Sequence, residues 1–448
     1  MVRHEPPGAA EVPINIHYKE GWLTHEVNDC GARVAIVHQE YLPRFEKVTG
    51  DLEGLEKIVV VGDGGADGRA NSSLEMRSWG ELEGAEALPE PAETRFYDTM
   101  GILYTSGTTG PSKGVVLPYG VSGIFAQAVI DNAHLTSDDV GYVCNPLFHG
   151  NAQFMQVLPV LLAGGRVSIW PKFTVSGWLR QIRECGATIT NTIGVILQFI
   201  YGQPARDDDW DNPLRRVLVQ PAPSDIVEDF EERFGLKCLE GYGMTEIGVV
   251  TYRNMDDPLR PGAAGKPLEK WFDVKIEDPE TGEPRGPDEL GAIVVRPKSS
   301  GILMKGYNNL PEKTLEAWRD LWFRTDDMAK LDEEGYLYFA DRAKDVIRRR
   351  GENISSFTIE SILNNHPSVK EAAAFAVPSD LGPGRRTRSR SASCWMGGEA
   401  GPGGAPRVLR RQDAVLRGPP LHRVRRGDTQ NAQPEGQEER AQGTGHHP

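Results

Sequence analysis

Residues 104 to 114 read Tyr-Thr-Ser-Gly-Thr-Thr-Gly-Pro-Ser-Lys-Gly, between the apolar stretches Met100–Tyr104 and Val115–Leu117. Apolar flanks of that length predict two strands, and the run between them has the chemistry of a loop wrapped round phosphate. Thr105, Ser106, Thr108 and Thr109 supply hydroxyl donors. Gly107 and Gly110 let backbone N–H groups approach an anion with no Cβ in the way, and Lys113 adds a point charge. A Walker A loop would need Gly-Lys followed by Ser or Thr at a helix start, whereas Lys113 follows Ser112 and precedes Gly114. A flexible Ser/Thr/Gly linker would account for the composition but not for the strand-like flanks.

Further motifs follow in order. In Glu240-Gly-Tyr-Gly-Met-Thr-Glu246 a flat ring able to stack on a purine stands close to a hydroxyl and to a hard oxygen ligand for a divalent cation. Trp322-Phe-Arg-Thr-Asp-Asp-Met328, Gly335–Arg342 and Asp345–Ile354 come next, and Pro146-Leu-Phe-His-Gly-Asn-Ala-Gln153 lies between the loop and Tyr242. Taken singly, Asp327 reads as a turn residue, Arg342 as a surface charge, Tyr242 as a core aromatic and His149 as a structural histidine.

Jointly these motifs resemble the AMP-forming acyl-adenylate superfamily, which includes acyl-CoA synthetases, luciferases and the adenylation domains of peptide synthetases. Gly202–Arg206, Leu214–Val217, Glu232–Gly235 and Arg350–Ser355 look most like crotonobetaine/carnitine-CoA ligases. The resemblance implies ATP, Mg2+ and coenzyme A, and a carboxylic acid as substrate. It implies that residues 105–110 and Lys113 hold phosphates, that Tyr242 lies against adenine, and that Thr245 contacts phosphate while Glu246 contacts magnesium. Asp327 then takes the ribose hydroxyls with Arg342 nearby, His149 lies beside the acyl group, Lys344 is the interdomain hinge, and Gly351 lines the channel for the thiol arm. Where the family has a Gly-rich stretch against adenine this chain has Val219–Ser224, with Ala222 as the match. A carrier-protein adenylation enzyme would share every motif. A nucleotide-binding remnant without catalysis is a third possibility.

The implied fold is a large multi-layer α/β domain with mixed sheets over residues 1–341, followed by a hinge and truncated small α+β domain at 342–384. Within the first, 12–16, 34–37, 57–62 and 291–297 read as strands, 178–184 and 226–234 as amphipathic helices, and 64–94 as an acidic, Gly-rich connection. No run of about eighteen uncharged apolar residues occurs, so no membrane span is expected. The first residues lack the apolar core of a signal peptide, and Cys30, Cys144, Cys185, Cys238 and Cys394 show no paired spacing. A reducing, cytoplasmic setting without a cysteine metal site is the expectation.

The net charge of −14 is unevenly distributed. Residues 385–448 hold twelve arginines, no lysine and six acids, a balance of +6 against −20 for the preceding part, and contain no Ile, Phe or Tyr. A segment so poor in large apolar groups is expected to stay unordered. An arginine-rich tail could bind nucleic acid, but a reading-frame shift near Gly384 explains the change of composition better, so no nucleic-acid partner is expected. The family's closing Gly-Lys motif has no counterpart, since no lysine follows Lys370. The segment Glu11–His17 likewise matches a family stretch that a longer portion normally precedes.

Overall fold

The computed structural model describes residues 8–62, 74–83, 93–105 and 112–342, and beyond them the backbone of strands at 347–349, 352–354, 372–378, 390–396 and 408–409. At its centre is a five-stranded parallel sheet in the order Lys237–Leu239, Arg216–Val219, Ile189–Thr192, Val140–Val143 and Arg166–Ile169. Arg216–Val219 is buried along its whole length, as a strand covered on both faces must be, and is therefore mostly β-branched or aliphatic. Its one charge, Arg216, donates from Nη1 to Asp139 Oδ1 at 2.9 Å, and the Asp139 side chain is fully buried. Burial disfavours that carboxylate, yet Thr188, the Thr136 N–H and both Arg215 and Arg216 leave its pKa below the usual value.

Helices Trp178–Cys185 and Val227–Phe234 cover this sheet with the four-residue spacing that places side chains on one helix face. Trp178 and Ile182 from the first meet Phe230 and Phe234 from the second in a core shared with Val217, Val219 and Cys238. Both helices stop at a left-handed glycine, Gly186 at φ 67° and Gly235 at φ 66°, where a side chain would be strained.

An antiparallel sheet runs Phe272–Glu277, Gly291–Pro297, Trp322–Leu331 and Trp318–Arg319, with Leu337–Arg342 also paired to Trp322–Leu331. Gly241–Met244, Gly248–Tyr252 and Lys266–Pro267 form a smaller antiparallel sheet, and Val34–His38, Lys57–Val61 and Glu75–Ser78 a parallel one. Mixed sheets with flanking helices match the expected α/β class. The strands expected at 34–37, 57–62 and 291–297 and the helices at 178–184 and 226–234 are present within a residue or so at each end.

Two expectations need correction. Residues 12–16 form no strand. Only Glu11 bridges to Gly101, and Pro13 has no N–H with which to extend a ladder. The stretch at 64–94 is not connection throughout, since Glu75–Ser78 pairs with Lys57–Val61 and the helix Trp79–Glu83 follows. Past the large unit, Arg390–Met396 pairs with Ala372–Pro378 and with Val408–Leu409, so the arginine-rich segment has β backbone at those two places, where Gly and Pro are absent. Among the described residues no helix is long and apolar enough to cross a membrane.

Candidate active site

The apolar stretches flanking the hydroxyl-rich run are the two arms of a hairpin. Thr99–Thr105 pairs antiparallel with Lys113–Pro118, with Thr105 opposite Lys113 and Tyr104 opposite Gly114. Ser106, Gly107, Thr108, Thr109 and Gly110 lie outside the described residues. The hairpin base is tightly held. A Cβ on Gly114 would come within 2.8 Å of Ile102 Cγ2, and the Tyr104 hydroxyl donates to Asp29 Oδ2 at 2.6 Å.

Lys113 Nζ sits 4.1 Å above the centroid of the Tyr307 ring, a cation–π contact. The Tyr307 hydroxyl in turn donates to Glu246 Oε1 at 2.9 Å. Tyr307 therefore joins the loop lysine to the candidate magnesium ligand, a connection that no motif announced. Burial and the neighbouring Glu246 charge raise the Tyr307 pKa, keeping the phenol protonated as donor. Glu246 is buried, and no group of three or more His, Cys, Asp or Glu side chains among the described residues could hold a metal ion. A single carboxylate is nevertheless the pattern expected for magnesium held mainly by nucleotide phosphates and water.

Glu246 belongs to the turn between Gly241–Met244 and Gly248–Tyr252. The strands approach so closely there that a Cβ on Gly243 would lie 2.2 Å from the Gly248 carbonyl oxygen, which explains the second glycine of Gly-Tyr-Gly. Tyr242 is buried, stacks on Phe339 at 6.0 Å between centroids, and donates from its hydroxyl to Asp327 Oδ2 at 2.7 Å. Hydrogen bonds to a carboxylate of this kind contribute about 1.5–3 kcal/mol. Asp327 lies on Trp322–Leu331, in register with Arg342 on the next strand. The structure thus brings Tyr242 and Asp327 together, with the backbone of Arg342 beside them. The Arg342 side chain, Lys344 and Gly351 lie outside the described residues.

A cavity of about 660 Å³ opens over this wall. Tyr242, Thr245, Asp327 and Phe339 line it, as do His149, Asn145, Asn151, Phe154, Met155 and Ile196. His149 precedes the helix that begins at Gly150 and stands beside Phe148, ring centroids 4.5 Å apart. It is exposed on one side, and partial burial of the rest holds its pKa below the ordinary histidine value, which favours the neutral ring. Ala222 is buried just beyond the lining residues Gln220 and Pro221, and its N–H faces the Glu240 carboxyl.

Glu240 was not singled out from sequence, although it opens the Glu240–Glu246 motif. It lines the cavity and is buried, and burial pushes its pKa up to about 8 despite the Ala222 N–H and the Arg253 charge. Phe339 and Tyr307 were missed as well. Each becomes visible as a site residue only once strands far apart in sequence are paired.

A family model described as AMP-binding enzyme matches residues 7–308. The chain is 36% identical over 315 residues to a steroid-22-oyl-CoA synthetase of Rhodococcus jostii, covering 66% of this chain and 56% of that protein. It is 33% identical over 375 residues to a feruloyl-CoA synthase of Amycolatopsis, covering 83% and 71%, and 29% identical over 390 residues to a crotonobetaine/carnitine–CoA ligase of Proteus mirabilis, covering 84% and 72%. Among solved structures, an anthranilate CoA ligase in complex with anthranoyl-AMP superposes with a TM-score of 0.75 at 26% identity, covering 86% of this chain and 72% of that one. ATP-bound MatB from Rhodopseudomonas palustris gives 0.71 at 27% identity, covering 83% and 71%. With the hairpin, the Glu240–Glu246 turn and the cavity in place, these likenesses fix the family, and the chain belongs to the AMP-binding enzymes.

Proposed function

We propose that this chain is an ATP-dependent, AMP-forming acid–thiol ligase working on a carboxylic acid, with coenzyme A as the thiol. The observation that carries the reading is the Tyr242 hydroxyl on the Asp327 carboxylate, at the wall of a cavity that Thr245 and His149 also line. A nucleoside end and an acyl end in one cavity suit a reaction that joins them. The relatives named above support it, since each carries a CoA-ester activity in its name.

In the first half-reaction a carboxylate oxygen attacks the α-phosphorus of ATP, and the bond to pyrophosphate breaks. In the second a thiol sulfur attacks the acyl carbon, its proton leaves to solvent, and AMP departs. A bound magnesium ion would neutralise phosphate charge, with Glu246 as its protein ligand. Residues 105–110, Lys113 and Thr245 align the phosphates, Tyr242 and Ala222 bound the base, and Asp327 with Arg342 holds the ribose. His149 sits beside the acyl group. Lys344 acts as hinge, and Gly351 borders the path of the thiol arm. The setting is cytoplasmic.

Residues 371–448 contain no lysine, so these residues supply no counterpart of the family's late lysine on the α-phosphate, and we infer that adenylation by residues 1–448 alone is slow. That same absence motivates the second reading, nucleotide binding without turnover. Acid-dependent pyrophosphate release, measured over a panel of carboxylic acids with and without coenzyme A, tests both. The ligase reading expects slow release, coenzyme A consumed in step with it, and a gain of about 10²-fold or more when the frame beyond residue 384 is restored. ATP binding with no release from either form would support the second reading instead.

A further inference from the structure

Residues 304–308 strap the hairpin to the Glu240–Glu246 turn. The Met304 N–H donates to the Glu246 carbonyl at 2.9 Å, the Lys305 N–H to the Val116 carbonyl at 2.8 Å and the Asn308 N–H to the Gly114 carbonyl at 2.7 Å. Between them Gly306–Tyr307 pairs antiparallel with Val115 and Val116, and the Tyr307 N–H donates to Thr314 Oγ1 at 2.9 Å. The backbone of Tyr307 is thus fixed on both sides, and its ring is aimed by the strand that carries it.

That ring meets two opposite charges with different parts. Its face lies under the Lys113 ammonium, 4.1 Å from Nζ to the centroid, while its hydroxyl donates to Glu246 Oε1 at 2.9 Å. Opposite charges brought to the same ring in a partly buried place attract each other strongly. Yet among the described residues neither Lys113 nor Glu246 forms an ion pair, with the other or with any third group. An aromatic face and one phenol proton hold the two groups without neutralising either. A charge left so in a half-buried or buried position is costly unless a partner of opposite sign arrives. Phosphate suits the ammonium, and a divalent cation suits the carboxylate.

We propose that Tyr307 is a positioning residue, which holds Lys113 and Glu246 apart and orients the one for the triphosphate and the other for its magnesium ion. This deepens the ligase reading and rests on it. A hydrogen-bonded partner fixes the orientation of a metal-ligating carboxylate and strengthens metal binding. Tyr307 serves Glu246 in that way, and the same ring keeps the lysine from closing on the carboxylate.

The test titrates ATP into the full chain by calorimetry, once with excess Mg2+ and once in EDTA, so that the metal's share of the affinity is read as a ratio. Tyr307→Phe keeps the ring and removes the donor. It should lower that ratio about 5-fold or more, the weight of one hydrogen bond to the ligating carboxylate. Tyr307→Leu removes the ring as well and frees Lys113 to pair with Glu246, so its affinity in EDTA should lie about 3-fold or more below that of the Phe variant. In a Lys113→Ala background the change from Tyr to Leu should alter affinity in EDTA by less than about 2-fold, because its effect runs through the lysine. An unchanged ratio in Tyr307→Phe, whether affinity holds or falls equally under both conditions, would overturn the inference and leave the ligase reading standing. So would an effect of Leu that persists undiminished without Lys113. The Phe variant preserves the packing of the ring and decides alone if the Leu variant does not fold. Failure of the parent to bind ATP under either condition would remove the ligase reading and the inference with it.

Discussion

Glu240 shows how a single carboxyl can set the pH response of a site. Its folded pKa stands near 8, against about 4.3 for an unfolded glutamate. The folded state therefore keeps a proton that the unfolded state releases, and the contribution of Glu240 to stability is fully present below about pH 4, is lost as pH rises through that interval, and levels off above 8. Glu240→Gln removes the titration while keeping an oxygen for the Ala222 N–H. The variant should gain on the order of 2–4 kcal/mol relative to the parent between pH 5 and pH 8.5 in urea denaturation. An unchanged difference between the two proteins at both pH values would show that Glu240 titrates normally. Glu26, pushed up to about 7 by burial, acts in the same direction but is common to both proteins and cancels.

Asp327 is the residue proposed to take the ribose hydroxyls. With Tyr242 holding one carboxylate oxygen, ribose hydroxyls bonding to this group would contribute about 1.5–3 kcal/mol each. Asp327→Ala should accordingly discriminate less between ATP and its 2′,3′-dideoxy analogue than the parent does. Competition binding measures this, and equal discrimination in both proteins would count against the ribose role.

At the scale of elements, the hairpin carries the account. Its arms could be read because an apolar strand shows in composition alone, whereas the run between them, 106–111, lies outside the described residues and its phosphate role remains the proposal. What could not be read was the support beneath it. Asp29 and Asn308 reach Tyr104 and Gly114 from about 75 residues before and 200 after, through contacts without a local signature. Gly114→Ala would place a methyl group against Ile102 and should cost about 1–3 kcal/mol, measured by thermal denaturation. A neutral result would mean that the hairpin base is looser than its packing. The π-helical turn Gln153–Val157 was equally hidden, since Pro159 marks a break in helix bonding without saying which way the turn relaxes.

Across the whole molecule, the strands and amphipathic helices of the parallel sheet were legible because burial on one or two faces imposes a period on the residues. The Val12–Ile16 expectation failed because alternation mimicked a strand in a segment broken by proline. Tyr242, Asp327 and Glu246 were legible as candidates, but their arrangement was not, since Tyr307 and Phe339 join them only through pairing across the fold. The central claim is that the hairpin loop and the Glu240–Glu246 turn form one nucleotide site. Calorimetric titration of Mg-ATP into the parent and into Thr109→Ala/Lys113→Ala tests it most directly. The account predicts binding to the parent and an affinity lowered about 10-fold or more in the double variant, as loss of charge-assisted bonds requires. Equal Mg-ATP affinity in the two proteins would contradict it.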